Sequence, residues 1–140
     1  MARVVLDANV LISAAFGGKP LEAVVKAMAN HDIFVSESIE RELKGVFTGL
    51  SKKLSSDQIS FIQQNIGRLL SSAKRMSVST QVVLSRDAKD DHYLSLCKEA
   101  GADFLITGDK DLLSIPQEKL NENGIPTLIL TPQKFLESTE

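Results

Sequence analysis

The stretch RVVLDANVLISA, residues 3–14, sets Asp7 directly after Val4, Val5 and Leu6, and the chain turns apolar again from Val10. Burying an unpaired charge costs several kcal/mol. Asp7 at the end of an apolar run therefore calls for a partner from elsewhere in the chain. RVVL (3–6) reads as a short buried strand. DIFVS (32–36), DFLIT (103–107) and IPTLIL (125–130) read the same way, and QVVLS (81–85) reads as a weak fifth strand. Helical patterns separate them. In PLEAVVKAMAN (20–30), Leu21, Val24, Val25 and Met28 fall at helical spacing and predict the buried face. ESIERELKGVF follows Ser36 as its cap. Ser55 and Gln58 form a capping-box pattern before Ile59, Ile62, Ile66, Leu69 and Leu70, which share one face. DDHYLSLCKEAG (90–101) opens with acids and ends in glycine, and TPQKFLEST (131–139) opens with Thr and Pro. Strands alternating with helices predict an α/β fold: a central parallel sheet with helices on both faces, the helices of 38–75 forming a helical arm.

The 140 residues are 43% hydrophobic and 24% charged, the profile of one domain spanning 1–140. A single cysteine, Cys97, excludes an internal disulfide framework and a cysteine zinc cluster, and it favours a reduced, cytoplasmic setting. Asp7 breaks the apolar start before a signal peptide's core forms. No run approaches the roughly 20 apolar residues of a membrane span, so no membrane association is expected. Net charge is −2, so nucleic-acid binding would need a local patch. From Glu40 to Arg75 there are seven basic residues (Arg41, Lys44, Lys52, Lys53, Arg68, Lys74, Arg75) against three acids. Lys44, Lys52, Lys53 and Arg68 are the candidate RNA contacts; a plain solvated helical surface is the competing reading.

Acids fall where strands end. Asp7 ends the first strand; Asp109 and Asp111 follow strand 103–107; Asp90 and Asp91 open the helix beside it; Glu42 borders the apolar face of the helix after strand 32–36. Ligands of open parallel sheets collect at such ends. Two carboxylates about 5 Å apart repel by roughly 3 kcal/mol at an effective dielectric of about 20. Four of them would need a cation, and oxygen-only ligation suits Mg²⁺ or Mn²⁺. Each acid has a plainer role open to it: Asp7 as the cap of the next turn, Asp90 or Asp91 as a helix-start acid, Asp111 as a cap. His92 invites a general-base role, but a helix-surface position is the plainer reading. A phosphatase that places Asp after its first strand wants a second Asp where this chain has Asn9. A receiver domain wants paired acids before Asp7, where this chain is apolar.

VVLDANVLISA, VSESIERELKGV, RDAKDDHYLSLCKEAGADFLITGDKDLL and IPTLILTPQKFL together resemble the PIN domain, in particular the toxin components of toxin–antitoxin pairs related to VapC-type ribonucleases. The resemblance runs from about residue 2 to residue 137 and is weakest over 46–80. It implies a single PIN-like domain. It matches the family's acids to Asp7, Glu42, Asp91 (with Asp90 as the alternative) and Asp109, with Asn9, Thr107 and Asp111 as auxiliary residues. Ala88 stands where the family usually has proline. What the resemblance implies is a Mg²⁺- or Mn²⁺-dependent endoribonuclease in which these four acids hold the metal. RNA would be its substrate and an antitoxin protein its partner, with room for a homodimer. A non-catalytic RNA- or protein-binding relative is the alternative. Repulsion among the acids further predicts that Asp7→Asn abolishes catalysis and raises the metal-free melting temperature.

Overall fold

The computed structural model describes residues 2–138. Among them, five strands form one parallel sheet in the order β3-β2-β1-β4-β5. β1 (Arg3–Leu6) lies centrally between β2 (Asp32–Val35) and β4 (Phe104–Ile106), while β3 (Lys74–Arg75) and β5 (Leu128–Leu130) form the edges. Val4, Val5 and Leu6 are all buried. An unbroken apolar run of this kind is what a parallel strand covered on both faces requires. The chain leaves β1 toward β2 on one side and returns through β4 on the other. The strand order thus reverses between β1 and β4, and a crevice opens beyond their carboxyl ends. Asp7 N–H donates to Ile106 O at 3.0 Å and carries the β1–β4 ladder one residue past the strand.

The first helix, α1 (Ala8–Ala14), was not expected from the sequence. Asp7 is its N-cap, accepting the Asn9 N–H at 2.9 Å. α2 (Gly18–Asn30) was expected, but on a different face: it buries Ala23, Val24 and Ala27 and leaves Leu21, Val25 and Met28 exposed. Small residues let the helix approach the sheet closely, which the larger neighbouring stripe would prevent. α3 (Glu37–Ser51) starts at the Ser36 cap and α4 (Ser56–Ser72) at the Ser55–Gln58 capping box. This helix pair is the arm of the expectation, and Ile39, Leu43, Ile62 and Leu69 anchor it in the core.

The segment QVVLS is not a strand. The sheet is completed by β3, where Phe34 and Val35 pair with Lys74 and Arg75 directly after α4. Residues 76–87 then run as an irregular strap, and its donors are met by α5 (Asp91–Ala100). Asp91 Oδ1 accepts the Leu84 and Ser85 N–H groups at 3.1 and 2.8 Å. Ser95 Oγ accepts the Val82 N–H at 3.0 Å. Glu99 accepts the Ser79 N–H and the Ser79 and Thr80 hydroxyls, which hold its carboxyl below the usual range. Asp91, Ser95 and Glu99 are spaced four apart, so one stripe of α5 takes the backbone bonds a strand partner would have taken. The chain closes through α6 (Lys110–Leu113), α7 (Gln117–Glu122) and α8 (Pro132–Ser138). Residue 139, which ends the expected last helix, lies outside the described residues. No helix among them is long and apolar enough to cross a membrane.

Asp91→Ala removes the acceptor of two backbone donors. It is expected to cost about 2 kcal/mol of stability, as loss of hydrogen bonds to a charged group does. Native-state hydrogen exchange should show larger acceleration at Leu84 and Ser85 than in β1 and β4, where exchange follows global unfolding.

Candidate active site

Asp7 is 3% exposed, and its carboxylate is met from three directions. Oδ1 accepts the Asn9 N–H at 2.9 Å and lies 3.2 Å from the Tyr93 hydroxyl; Oδ2 accepts the Thr107 hydroxyl at 2.6 Å. These contacts come from α1, from α5 and from the residue after β4. Thr107 Oγ1 in turn accepts the Asp109 N–H at 3.0 Å. Asp109 caps α6, accepting the Asp111 N–H at 2.7 Å and the Leu112 N–H at 3.4 Å through Oδ1. On the other side, Tyr93 Oη accepts the Ala8 N–H at 3.0 Å and donates to Glu42 Oε2. Burial, and after it the Asp7 charge, push the Tyr93 phenol far up, so it stays a protonated donor. His92 Nε2 lies 3.2 Å from the same Glu42 oxygen.

Asp90 completes the set. It ends the one-turn 3₁₀ segment Ala88–Asp90, is 7% exposed and lies against Asp109. Burial first, then the hydrogen bond shared with Asp109 and the charges of Asp109, Asp87 and Asp7, push its carboxyl up to about 7. Asp90 Oδ2 is buried and meets no donor among the described residues. With both carboxyls ionised, this pair needs a proton or a cation between its members.

The structure therefore joins Glu42, Asp7 and Asp109 through Tyr93 and Thr107 and sets Asp90 beside Asp109. Of the two candidates for the third acid, Asp91 directs its Oδ1 to the strap backbone, and Asp90, the alternative, lies against Asp109. Helical phase explains the choice, because Asp90 shares the face of Tyr93, Leu94 and Cys97, whereas Asp91 shares that of Ser95 and Glu99. Asp7 caps α1 and is also a member of this carboxylate cluster, so the cap does not remove it from the candidate site. Because donors surround Asp7, Asp7→Asn is expected to lower the metal-free melting temperature, not raise it; the unrelieved repulsion sits on Asp90. Asp111 does not cap. Its Oδ1 pairs with Arg86 at 2.9 Å. Asn9 is exposed and lines, with Asp7, Gly108 and Asp109, a cavity of about 360 Å³.

Tyr93 and Asp87 were missed as site residues, and His92 is half-buried against Glu42 instead of on an open helix surface. Tyr93 carried a legible signal: it is the sole tyrosine, on the apolar face of a helix, where a phenol needs a polar partner. Of the basic residues in 40–75, Arg41, Lys74 and Arg75 are paired with Glu37, Asp32 and Glu40. Lys44, Lys52 and Lys53 are exposed, and Arg68 borders an apolar groove between α2 and α4.

A family model described as PIN domain matches residues 3–111. Several solved structures share the fold, among them these three. VapBC2 from Rickettsia felis, bound to a DNA fragment from their promoter, is 16% identical with a TM-score of 0.57, the match covering 91% of this chain and 98% of that one. PAE2754 from Pyrobaculum aerophilum is 15% identical with a TM-score of 0.61, covering 97% and 88%. A domain of a functionally unknown protein from Methanocaldococcus jannaschii is 13% identical with a TM-score of 0.55, covering 93% and 91%. A search of curated proteins gives no match.

The raised carboxyl of Asp90 makes metal-free stability depend on pH. The folded state binds this proton more tightly than the unfolded chain, whose carboxyl titrates near 3.8. The stabilisation is therefore full below about 3.8 and lost as pH rises through about 7. Denaturant titrations in EDTA should show this decline, and Asp90→Asn should flatten it and be the more stable protein at pH 8.

Proposed function

The chain belongs to the PIN domain family, and from that premise we propose that it is a divalent-cation-dependent endoribonuclease. Its active site comprises Asp7, Glu42, Asp90 and Asp109, and the domain spans 1–140. Members of the family are in general nucleases. The observation that supports the reading is the linking of Asp7, Glu42 and Asp109, from three segments, at the strand-order reversal, with Asp90 close enough to feel the Asp109 charge.

The residues present fit Mg²⁺ or Mn²⁺. The donors are oxygens alone, and a buried Asp90 oxygen has no partner. Asp7, Asp90 and Asp109 would hold the cation, with Glu42 completing the set. When bound, such a cation offsets charge developing on a phosphate and acidifies water. The chain's own work is positioning. Thr107 fixes the distance between Asp7 and Asp109, since its one hydroxyl donates to the first and accepts from the backbone of the second. Tyr93 fixes Glu42 against Asp7, and His92 holds Glu42 from the other side.

Lys44, Lys52, Lys53 and Arg68 are proposed as the RNA phosphate contacts. A protein partner of antitoxin type is proposed on the likeness to VapBC2 and on the apolar groove of about 280 Å³ lined by Leu21, Val25, Met28, Phe61 and Ile66. Val25 and Phe61 are each 56% exposed there, and contiguous exposed apolar surface of this kind marks contact sites.

Purified protein with single-stranded RNA tests the reading. Cleavage is expected with Mg²⁺ or Mn²⁺ and none with EDTA. Asp90→Asn and Asp109→Asn should each lower kcat at least about a hundredfold, the scale of losing one preorganised charge-stabilising group. Asp91→Asn should keep most of the activity. Cleavage in EDTA, or an active Asp90→Asn, refutes the metal site; RNA binding without cleavage selects the non-catalytic alternative. For the contacts, the Lys52→Glu, Lys53→Glu double variant should bind RNA more weakly. Its salt dependence should flatten by about 1.4 in log–log slope, about 0.7 per lost single-strand phosphate contact.

A further inference from the structure

We propose that the RNA strand runs from the carboxylates across the start of α3 into a base pocket beyond β2 and β3, where Arg75 and Glu40 select guanine. The inference rests on the nuclease reading in taking RNA as the ligand, and it adds a subsite that the cut itself does not need.

A cavity of about 500 Å³ opens beyond the carboxyl ends of β2 and β3, walled by Glu40, Arg41, Arg75 and Met76. It shares Ser36, Ser38 and Val78 with the neighbouring cavity that reaches His92, and His92 in turn lies against Glu42. The two cavities thus make one groove along the sheet edge on which Asp7 and Thr107 also lie. Neighbouring strands are about 4.8 Å apart, so β3 stands roughly 10 Å from β1, the reach of a short run of nucleotides. The groove crosses the first turn of α3. There Ser36 accepts the Ile39 N–H through Oγ and the Glu40 N–H through its carbonyl. The Glu37 and Ser38 amides before them meet no acceptor among the described residues, and a helix start of this kind suits a phosphate of the crossing strand. Lys44, four residues after Glu40, shares its side of the helix.

Arg75 Nε lies 2.7 Å from Glu40 Oε1, with the two side chains 69% and 31% exposed. An ion pair this open adds little stability. Its effect is to hold a fork of donors beside a pair of acceptors at the mouth of the cavity. Both ends are anchored: Arg75 pairs with Val35 in the sheet, and Glu40 stands in the first turn of α3. A guanidinium only donates and a carboxylate only accepts, each oxygen having room for a second donor. Guanine answers both. Its O6 and N7 are adjacent acceptors that match an arginine fork. Its N1–H and N2–H₂ are adjacent donors that match a carboxylate. No other base of RNA offers both pairs. A base in single-stranded RNA presents both edges to a protein. Met76 and Val78, each half-buried, supply an apolar wall for its face.

Fluorescence anisotropy in EDTA, with an oligouridylate carrying one central guanosine, tests this without turnover. Wild type is expected to bind it about five- to a hundredfold more tightly than plain oligouridylate, the scale of one bidentate base contact. Replacing the guanosine by 7-deazaguanosine, which lacks N7, or by inosine, which lacks the N2 amine, should each remove most of that gain. Arg75→Lys should no longer distinguish guanosine from 7-deazaguanosine, and Glu40→Gln should no longer distinguish guanosine from inosine. Equal binding of all four oligomers by wild type overturns the base pocket, and their cleavage with Mn²⁺ would leave the nuclease reading standing. Undiminished discrimination in both variants overturns the roles of Arg75 and Glu40. Guanosine preference without cleavage in Mn²⁺ supports the pocket and overturns the nuclease reading. No binding of any oligomer overturns the proposal outright.

Discussion

The Asp7 carboxylate, closed off from water between β1 and β4, is the constraint around which the rest is arranged. A buried charge is tolerated only when its hydrogen bonds are complete. Asp7 draws its contacts from three places: the Asn9 N–H at the start of α1, the Tyr93 hydroxyl in the first turn of α5, and the Thr107 hydroxyl after β4. Each contact fixes the element that carries it. α1 cannot start elsewhere, α5 must present Tyr93 inward, and the turn after β4 must keep Thr107 in register with the ladder through Leu130. The same contacts that satisfy one charge therefore set the spacing of Glu42 and Asp109. Building the fold and assembling the site are here one event.

Asp90 and Asp91 divide two tasks between adjacent residues. The 3₁₀ turn runs directly into α5, so that by helical phase the first carboxylate faces Asp109 and the second the strap. Asp91 stabilises because its charge is met by backbone donors. Asp90 destabilises because its charge is buried and, after that, lies against another carboxylate.

Much of this was legible from residues alone. β1 and β4 were, because unbroken apolar runs ending in an acid have few other meanings. The resemblance of the DANVLISA and TGDKDLL segments then named the architecture that the sheet order and family match bear out. The face of α2 was misread because hydrophobic periodicity cannot distinguish a core stripe from an exposed apolar one. Ala23 and Ala27 bury through smallness, which a count of large apolar residues overlooks. QVVLS was misread because β-branched composition records fitness for a strand and not the presence of a partner strand. The partner here was a row of side chains on α5, visible only in three dimensions. The same holds for Asp90: its phase with Tyr93 was written in the sequence, but the turn that makes the phase matter was not.

The strap over 76–87 is fixed by side chains and not by a ladder, and this gives it a separate evolutionary freedom. A strand of the sheet cannot gain or lose one residue without turning its buried side chains outward. The strap has no such register. Its length between Arg75 and Asp87 can drift while Asp91, Ser95 and Glu99 take hold of whichever amides arrive. With Ser36, Ser38 and His92, the strap walls a cavity of about 410 Å³. Insertions there would reshape that wall while leaving the carboxylates where they are, so the shape of the cavity can vary independently of the charged cluster.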